Sequence, residues 1–276
     1  MPKFTRSETV IAYETAGDGA PVLLIQGIGV TGSGWTPQVE ALRGNYQTLV
    51  YDHRGLGGSL PCSGAITVEA MARDALALMD HLGWPSAHVV GHSMGGVIAQ
   101  QLALDAPKRI RSLSLLCTFV RGKDGARPTP FVLWMTLRTR LGTRRMRRRA
   151  FLELILPKAD LATEDTDALA SRLVPILGRD LADNPPILIK QLRALGNHDV
   201  SARLGELAGI PTWVVSAECD PIAPPSQGRR LAAAIPGAAF DCFAGASHGL
   251  TLHRPGPLNR GLESFLRRVD ASHVVG

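Results

Sequence analysis

The chain reads as an α/β protein: a mostly parallel central sheet flanked by helices, interrupted late by an all-helical insertion. Three observations predict this. Short apolar runs alternate with helical patterns towards both ends of the sequence, as strand-helix-strand crossovers require. One strand-to-helix junction carries Gly91-x-Ser93-x-Gly95, a turn too tight for side chains at its flanking positions. The alternation then stops between about residues 120 and 200, where no strand pattern is found.

Each element has its own signal. Thr9 to Thr15 alternates as an antiparallel edge strand does, and Val22 to Ile25 is a buried apolar strand running into the flexible turn Gln26-Gly27-Ile28-Gly29. Thr36 to Leu42 predicts a short helix and Thr48 to Tyr51 the next strand. Thr67 is placed to cap a helix with apolar positions Val68, Met71, Ala75, Leu78 and Leu82, stopped by Gly83 and Pro85. Ala87 to Val90 leads into Ser93, and Val97 to Ala106 is apolar nearly all round, as a buried helix would be. Leu113 to Cys117 is a further strand. Within the insertion, helical patterns fall around Met146 to Ile155 and Thr163 to Leu177. Strands at Thr212 to Ala217 and Ala239 to Phe243 follow, with helices near Gln227 to Ile235 and Pro257 to Val269. The expected division is a core of residues 1–119 and 201–276 under a helical cap of residues 120–200.

With 276 residues, 45% hydrophobic and 20% charged, the composition is that of a soluble globular protein. No apolar run approaches the roughly 20 residues of a membrane span. The first residues, Met1-Pro2-Lys3-Phe4-Thr5-Arg6, lack a signal-peptide core, so a cytoplasmic location without stable membrane insertion is expected. Cys62, Cys117, Cys219 and Cys242 are scattered without metal-type pairs, which predicts neither a metal site nor a disulfide framework.

Ser93 is the candidate nucleophile. A helix starting directly after it would aim the unpaired Met94 N–H, at the positive end of the helix dipole, at a growing oxyanion. A serine hydroxyl attacks poorly without a base, and the base should be a histidine fixed by a carboxylate. The loops after the last two strands offer Glu218-Cys219-Asp220-Pro221 and Ser247-His248-Gly249. His248 is preferred over His92, His53 and His253, and Asp220 over Glu218, Asp199 and Asp241, because each lies just past a strand in the order serine, acid, histidine. A second oxyanion donor is expected from the Gln26–Gly29 turn, at the Ile28 N–H, beside Gly27.

These residues resemble the α/β-hydrolase family over nearly the whole chain outside the insertion. Gly91-His92-Ser93-Met94-Gly95-Gly96 is similar to its nucleophile elbow. Tyr51-Asp52-x-Arg54-Gly55-x-Gly57-x-Ser59 is similar to the turn after its fourth strand, Asp220 with Pro224 to its acid loop, and Ser247-His248-Gly249 to its histidine loop. One departure is Gln26-Gly27, where the family commonly has His-Gly. Within the family the chain looks most similar to small carboxylesterases, lactonases and cofactor-free haloperoxidase or perhydrolase types. The resemblance implies a cap after the sixth strand and acyl transfer from an ester or lactone in two steps, with no metal or organic cofactor. Perhydrolysis or carbon–carbon bond cleavage on the same triad, or a ligand receptor of this fold, are the alternatives.

Phe119, Phe131, Trp134 and Met135 fall in or beside the insertion, where a cap presents side chains to an acyl chain or buries them; Phe119 and Trp134 are the pocket candidates. Residues 121–150 hold ten basic side chains against one acidic, which concentrates the net charge of +6 in one segment. Within the Arg138 to Arg149 run, a seam of Met146, Ala150, Phe151, Leu154 and Ile155 turns the arginines outward, so a solvated face is expected. No interleaved aromatic platform accompanies them, and nucleic acid is not an expected partner. The expected partner is a small-molecule ester; the oligomeric state is left open.

Overall fold

The computed structural model describes residues 1–6, 8–126 and 130–274. Eight strands form one sheet: β1 (Lys3–Arg6), β2 (Thr9–Ala16), β3 (Ala20–Ile25), β4 (Tyr46–Tyr51), β5 (Ala87–His92), β6 (Ile110–Leu116), β7 (Thr212–Ala217) and β8 (Ala239–Phe243). Their spatial order is β1-β2-β4-β3-β5-β6-β7-β8. β1, β2 and β4 pair antiparallel, and every later neighbour is parallel. The sheet contains one strand that the sequence reading lacked: β1 covers the outer side of β2, so Thr9–Ala16 is antiparallel as expected but not at the edge. Lys3-Phe4-Thr5-Arg6 offers no apolar run to announce a strand, and its charged residues suit an edge that must not pair further.

Helices α1 (Thr36–Leu42), α2 (Val68–His81) and α3 (Met94–Asp105) connect the first parallel strands, and the Thr67 hydroxyl caps α2 by accepting from the Ala70 N–H at 3.1 Å. Between β6 and β7 the chain forms α4 (Gly122–Ala126), α5 (Pro130–Arg138), α6 (Arg144–Ile155), α7 (Lys158–Thr163), α8 (Thr166–Leu177) and α9 (Leu188–Gly196). Helices α10 (Pro225–Ala234), α11 (Leu250–His253) and α12 (Pro255–Val274) complete the fold.

One apolar cluster fills the face under α2 and α3, with Leu23, Met71, Leu78, Ile98 and Leu102 at its centre. A second fills the face under α1 and α12, around Trp35, Val90, Trp213, Leu262 and Leu266. β5 and the residues of α3 from Met94 to Leu104 are buried on every side, which explains why both read as apolar without periodicity. The helices between β6 and β7 bury a third cluster, including Leu152, Leu156, Leu173 and Leu177, that reaches the sheet domain through Val30 and Leu252.

Most of the arginine run is paired. Arg144 pairs with Asp180 and Asp183, Arg145 with Asp165 and Asp167, Arg148 with Asp167 and Asp180, and Arg138 and Arg149 with Glu153. Most of these acids lie about 20 to 40 residues away in sequence, out of reach of a helical-wheel argument. The seam is also rotated: Leu152 is buried in it, whereas Met146 is exposed. Among the described residues, no helix is long and apolar enough to cross a membrane.

Beneath the sheet edge, Arg54 clasps Asp74 with two bonds of 2.5 and 2.6 Å, both side chains buried. Asp74 also has Arg6 at 3.6 Å, but removing Asp74 strands the buried Arg54 charge. Asp74→Ala is therefore expected to lower unfolding stability by about 3–5 kcal/mol, read from the midpoint of a denaturant titration. A loss below about 1 kcal/mol would show that water reaches Arg54.

Candidate active site

The site grows from the end of β5. Ser93 sits at φ 55° and ψ −120°, a strained conformation for any residue with a Cβ, and the surroundings hold it there. Its N–H donates to the Leu116 carbonyl at 2.9 Å, and its own carbonyl accepts from Gly96 N–H at 3.0 Å and from the Thr118 hydroxyl at 2.6 Å. The flanking glycines are steric necessities: a Cβ on Gly91 would strike the Gly95 carbonyl, and one on Gly95 the Ile25 carbonyl.

Two later strand ends bring up the partners. His248 Nε2 lies 3.0 Å from Ser93 Oγ, and His248 Nδ1 lies 2.8 Å from Asp220 Oδ2. All three residues are buried. The other Asp220 oxygen accepts the N–H groups of Ile222 and Ala223, each at 2.8 Å. Burial by itself would raise the Asp220 pKa; the adjacent imidazole, its hydrogen bond and the two N–H groups outweigh that and hold it below the ordinary carboxylate value. The rival histidines have other work. His53 Nε2 lies 2.8 Å from the Gln26 carbonyl, and His253 Nε2 accepts the Ser247 N–H at 3.0 Å.

His92, which the sequence reading set aside in favour of His248, lies within the site. Its Nε2 lies 2.8 Å from the His248 carbonyl, and the two rings are 4.9 Å apart. Burial and the neighbouring His248 push its pKa down to about 3, so it is neutral and donates Nε2–H to that carbonyl. It positions the histidine loop through the main chain. Its place directly before the nucleophile was the available signal, but a strand residue faces either side and spacing alone does not tell which.

The Gln26–Gly29 turn lies opposite. A Cβ on Gly27 would stand 3.2 Å from Ser93 Cβ, so the two backbones are nearly in contact. Among the described residues, no acceptor takes the N–H of Ile28 or Met94. Gln26, the departure from His-Gly, accepts the Gly27 N–H on its own Oε1 at 2.8 Å. Gly29 is gripped from both sides by the helical insertion: its N–H donates to buried Gln191 at 2.9 Å, and its carbonyl accepts Arg179 Nε–H at 3.2 Å.

A cavity of about 240 Å³ opens over Ser93, walled by Ile28, Phe119, Met135, Phe151, Leu188 and His248 among others. Phe119 is among the lining residues. Trp134 is not: it stands on the outer face of α5, 57% exposed, beside Leu137 and Leu141, while its neighbour Met135 turns inward at 2% exposure. Phe131 is exposed as well. The reason is helical phase, since residues 100° apart on α5 face opposite media and the sequence gives no acid or glycine to mark the outer side.

The comparisons agree with this architecture. The sequence model described as "alpha/beta hydrolase fold" matches residues 20–255. A protein of Azorhizobium caulinodans named "Putative carbamate hydrolase RutD" is 29% identical over 98% of this chain and 100% of its own length. One of the same name from Caulobacter vibrioides is 33% identical over 89% of each chain. Among solved structures, the enol-lactonase from Burkholderia xenovorans LB400 superposes with a TM-score of 0.80 at 28% identity, covering 96% of this chain and 100% of that one.

Proposed function

The chain belongs to the α/β-hydrolase fold family, and on that premise we propose that it is a serine hydrolase of small carboxylic esters or lactones. One observation carries the reading: an unbroken hydrogen-bonded line from Asp220 through His248 to Ser93, ending at the floor of an apolar cavity. Residues 120–200 act as the cap over a core of residues 1–119 and 201–276.

Ser93 Oγ attacks the carbonyl carbon as its proton passes to His248 Nε2. The tetrahedral oxyanion is held by the N–H groups of Ile28 and Met94. Collapse breaks the bond to the leaving oxygen, which takes the proton from His248, and leaves an acyl ester on Ser93. Water then attacks with His248 again accepting the proton, the bond to Ser93 Oγ breaks as Oγ takes that proton back, and the acid departs, so that one ester and one water give one acid and one alcohol. Asp220 holds the imidazole tautomer and stabilises the imidazolium. Carbamates, named for the RutD relatives, present the same carbonyl with nitrogen on one side and suit the same steps.

The test is steady-state hydrolysis of p-nitrophenyl esters from acetate to octanoate. Multiple turnovers are expected, with kcat/KM falling by at least roughly tenfold beyond the chain length that a cavity of this size admits, below the common range for ligand pockets. A single turnover followed by a stall would support a receptor instead, and turnover of p-nitrophenyl carbamates above esters would favour the carbamate reading.

A further inference from the structure

The wall of the Ser93 cavity is charged in one sense. Among its described lining residues there is no Asp or Glu, yet two arginines, Arg140 and Arg179, line it. The carboxylates nearby are taken up elsewhere: Asp180 by Arg144 and Arg148, Asp183 by Arg144, and Glu153 by Arg138 and Arg149. No carboxylate of the described residues comes within ion-pair distance of Arg140 or Arg179.

Arg179 is built in. Besides the Gly29 bond, its Nη1 donates to the main-chain carbonyls of Asp180 and Asp183, and its guanidinium lies 5.0 Å over the Phe151 ring. Carbonyl oxygens and a ring face orient the group without neutralising it, and Nη2 has no partner among the described residues. Burial pulls its pKa down, and the Asp183 and Asp180 charges push back through space. A planar cation fixed in this way has already given up its side-chain freedom, and its unpartnered Nη2 can donate a charge-assisted hydrogen bond to a carboxylate. Arg140, exposed at the rim beside Thr139 and Asn184, supplies a second positive charge at the entrance.

We propose that Arg179 and Arg140 form a carboxylate subsite, and that the esters or lactones hydrolysed at Ser93 carry a negative charge on the part lodged beneath the insertion. The inference rests on the serine-hydrolase reading for its reaction but not for its binding.

The test compares kcat/KM for p-nitrophenyl butyrate and for the mono-p-nitrophenyl ester of glutaric acid, in the wild type, Arg140→Ala, Arg179→Met and Arg140→Glu. The wild type should favour the anionic ester, and the anionic-to-neutral ratio should fall roughly 10- to 100-fold in each variant, the yield of a charge-assisted hydrogen-bonded contact. Arg140→Glu should in addition raise the ratio for an ester ending in trimethylammonium. Equal losses on both esters, leaving the ratio unchanged, mean that the arginines only support the fold and overturn the subsite. A wild type that turns over the neutral ester with no preference for the anionic one overturns the subsite and leaves the hydrolase reading standing. If the wild type hydrolyses neither ester, that reading fails, and glutarate titrated by calorimetry decides the subsite: binding weakened in Arg140→Ala supports it, and no binding to the wild type overturns it.

Discussion

Ser93→Ala is expected to cut kcat/KM for an activated ester by roughly 10⁴- to 10⁶-fold, the range seen when a triad nucleophile is removed and only binding and the oxyanion donors remain. The effect should be purely chemical. Alanine has the same Cβ as serine, so the positive φ at this turn is no more strained than before, and the main-chain bonds to Leu116, Gly96 and Thr118 do not involve Oγ. The melting temperature should stay within a few degrees of the wild type. Activity in the variant within tenfold of the wild type would remove Ser93 from the reaction and return His248 to the status of a buried loop residue.

Asp220→Asn is expected to cost about 10⁴-fold in kcat. The amide keeps the shape of the carboxylate and can still accept the Ile222 and Ala223 N–H groups. Towards His248 Nδ1 it can present an N–H donor, which moves the imidazole proton to Nε2 and leaves no lone pair facing Ser93 Oγ. On the proposed triad the three residues act as a unit, and the double variant Ser93→Ala/Asp220→Asn should be no slower than Ser93→Ala alone, within about threefold. A double variant slower by the product of the two single losses would mean that Asp220 acts on something other than the serine. The pH dependence adds a sign. The native Asp220 pKa is depressed, so its ionised form adds stability above the ordinary carboxylate value, and that contribution is lost as pH falls through the native one.

What was legible in the sequence follows the range of the forces involved. Gly91, Ser93 and Gly95 announce themselves because the steric demand of a tight turn acts between neighbours, and the apolar runs of β5, β6 and β7 because burial on both faces admits nothing polar. The Thr67 cap is a three-residue contact and was read correctly down to its acceptor. The ion pairs around Arg144 and Arg148 reach across 19 to 39 residues, and their geometry is fixed only once α6 and α8 pack. The same holds for Trp134 and Met135. Adjacent residues on one helix differ in fate by rotation alone, and that rotation is set by what α5 packs against, not by α5 itself. β1 was hidden for the opposite reason: an edge strand needs few apolar residues, so its pattern is too faint to register.

The grip on Gly29 makes the helical insertion more than a roof. Gln191 and Arg179 lie 162 and 150 residues beyond the turn they hold, and between them they fix the two peptide groups that follow Ile28, the proposed oxyanion donor. Loop and insertion are therefore one interlocked part, and neither can be traded alone. An insertion borrowed from another hydrolase could carry a suitable pocket and still leave the borrowed-into protein slow, unless it also brought an amide and a guanidinium that land on Gly29.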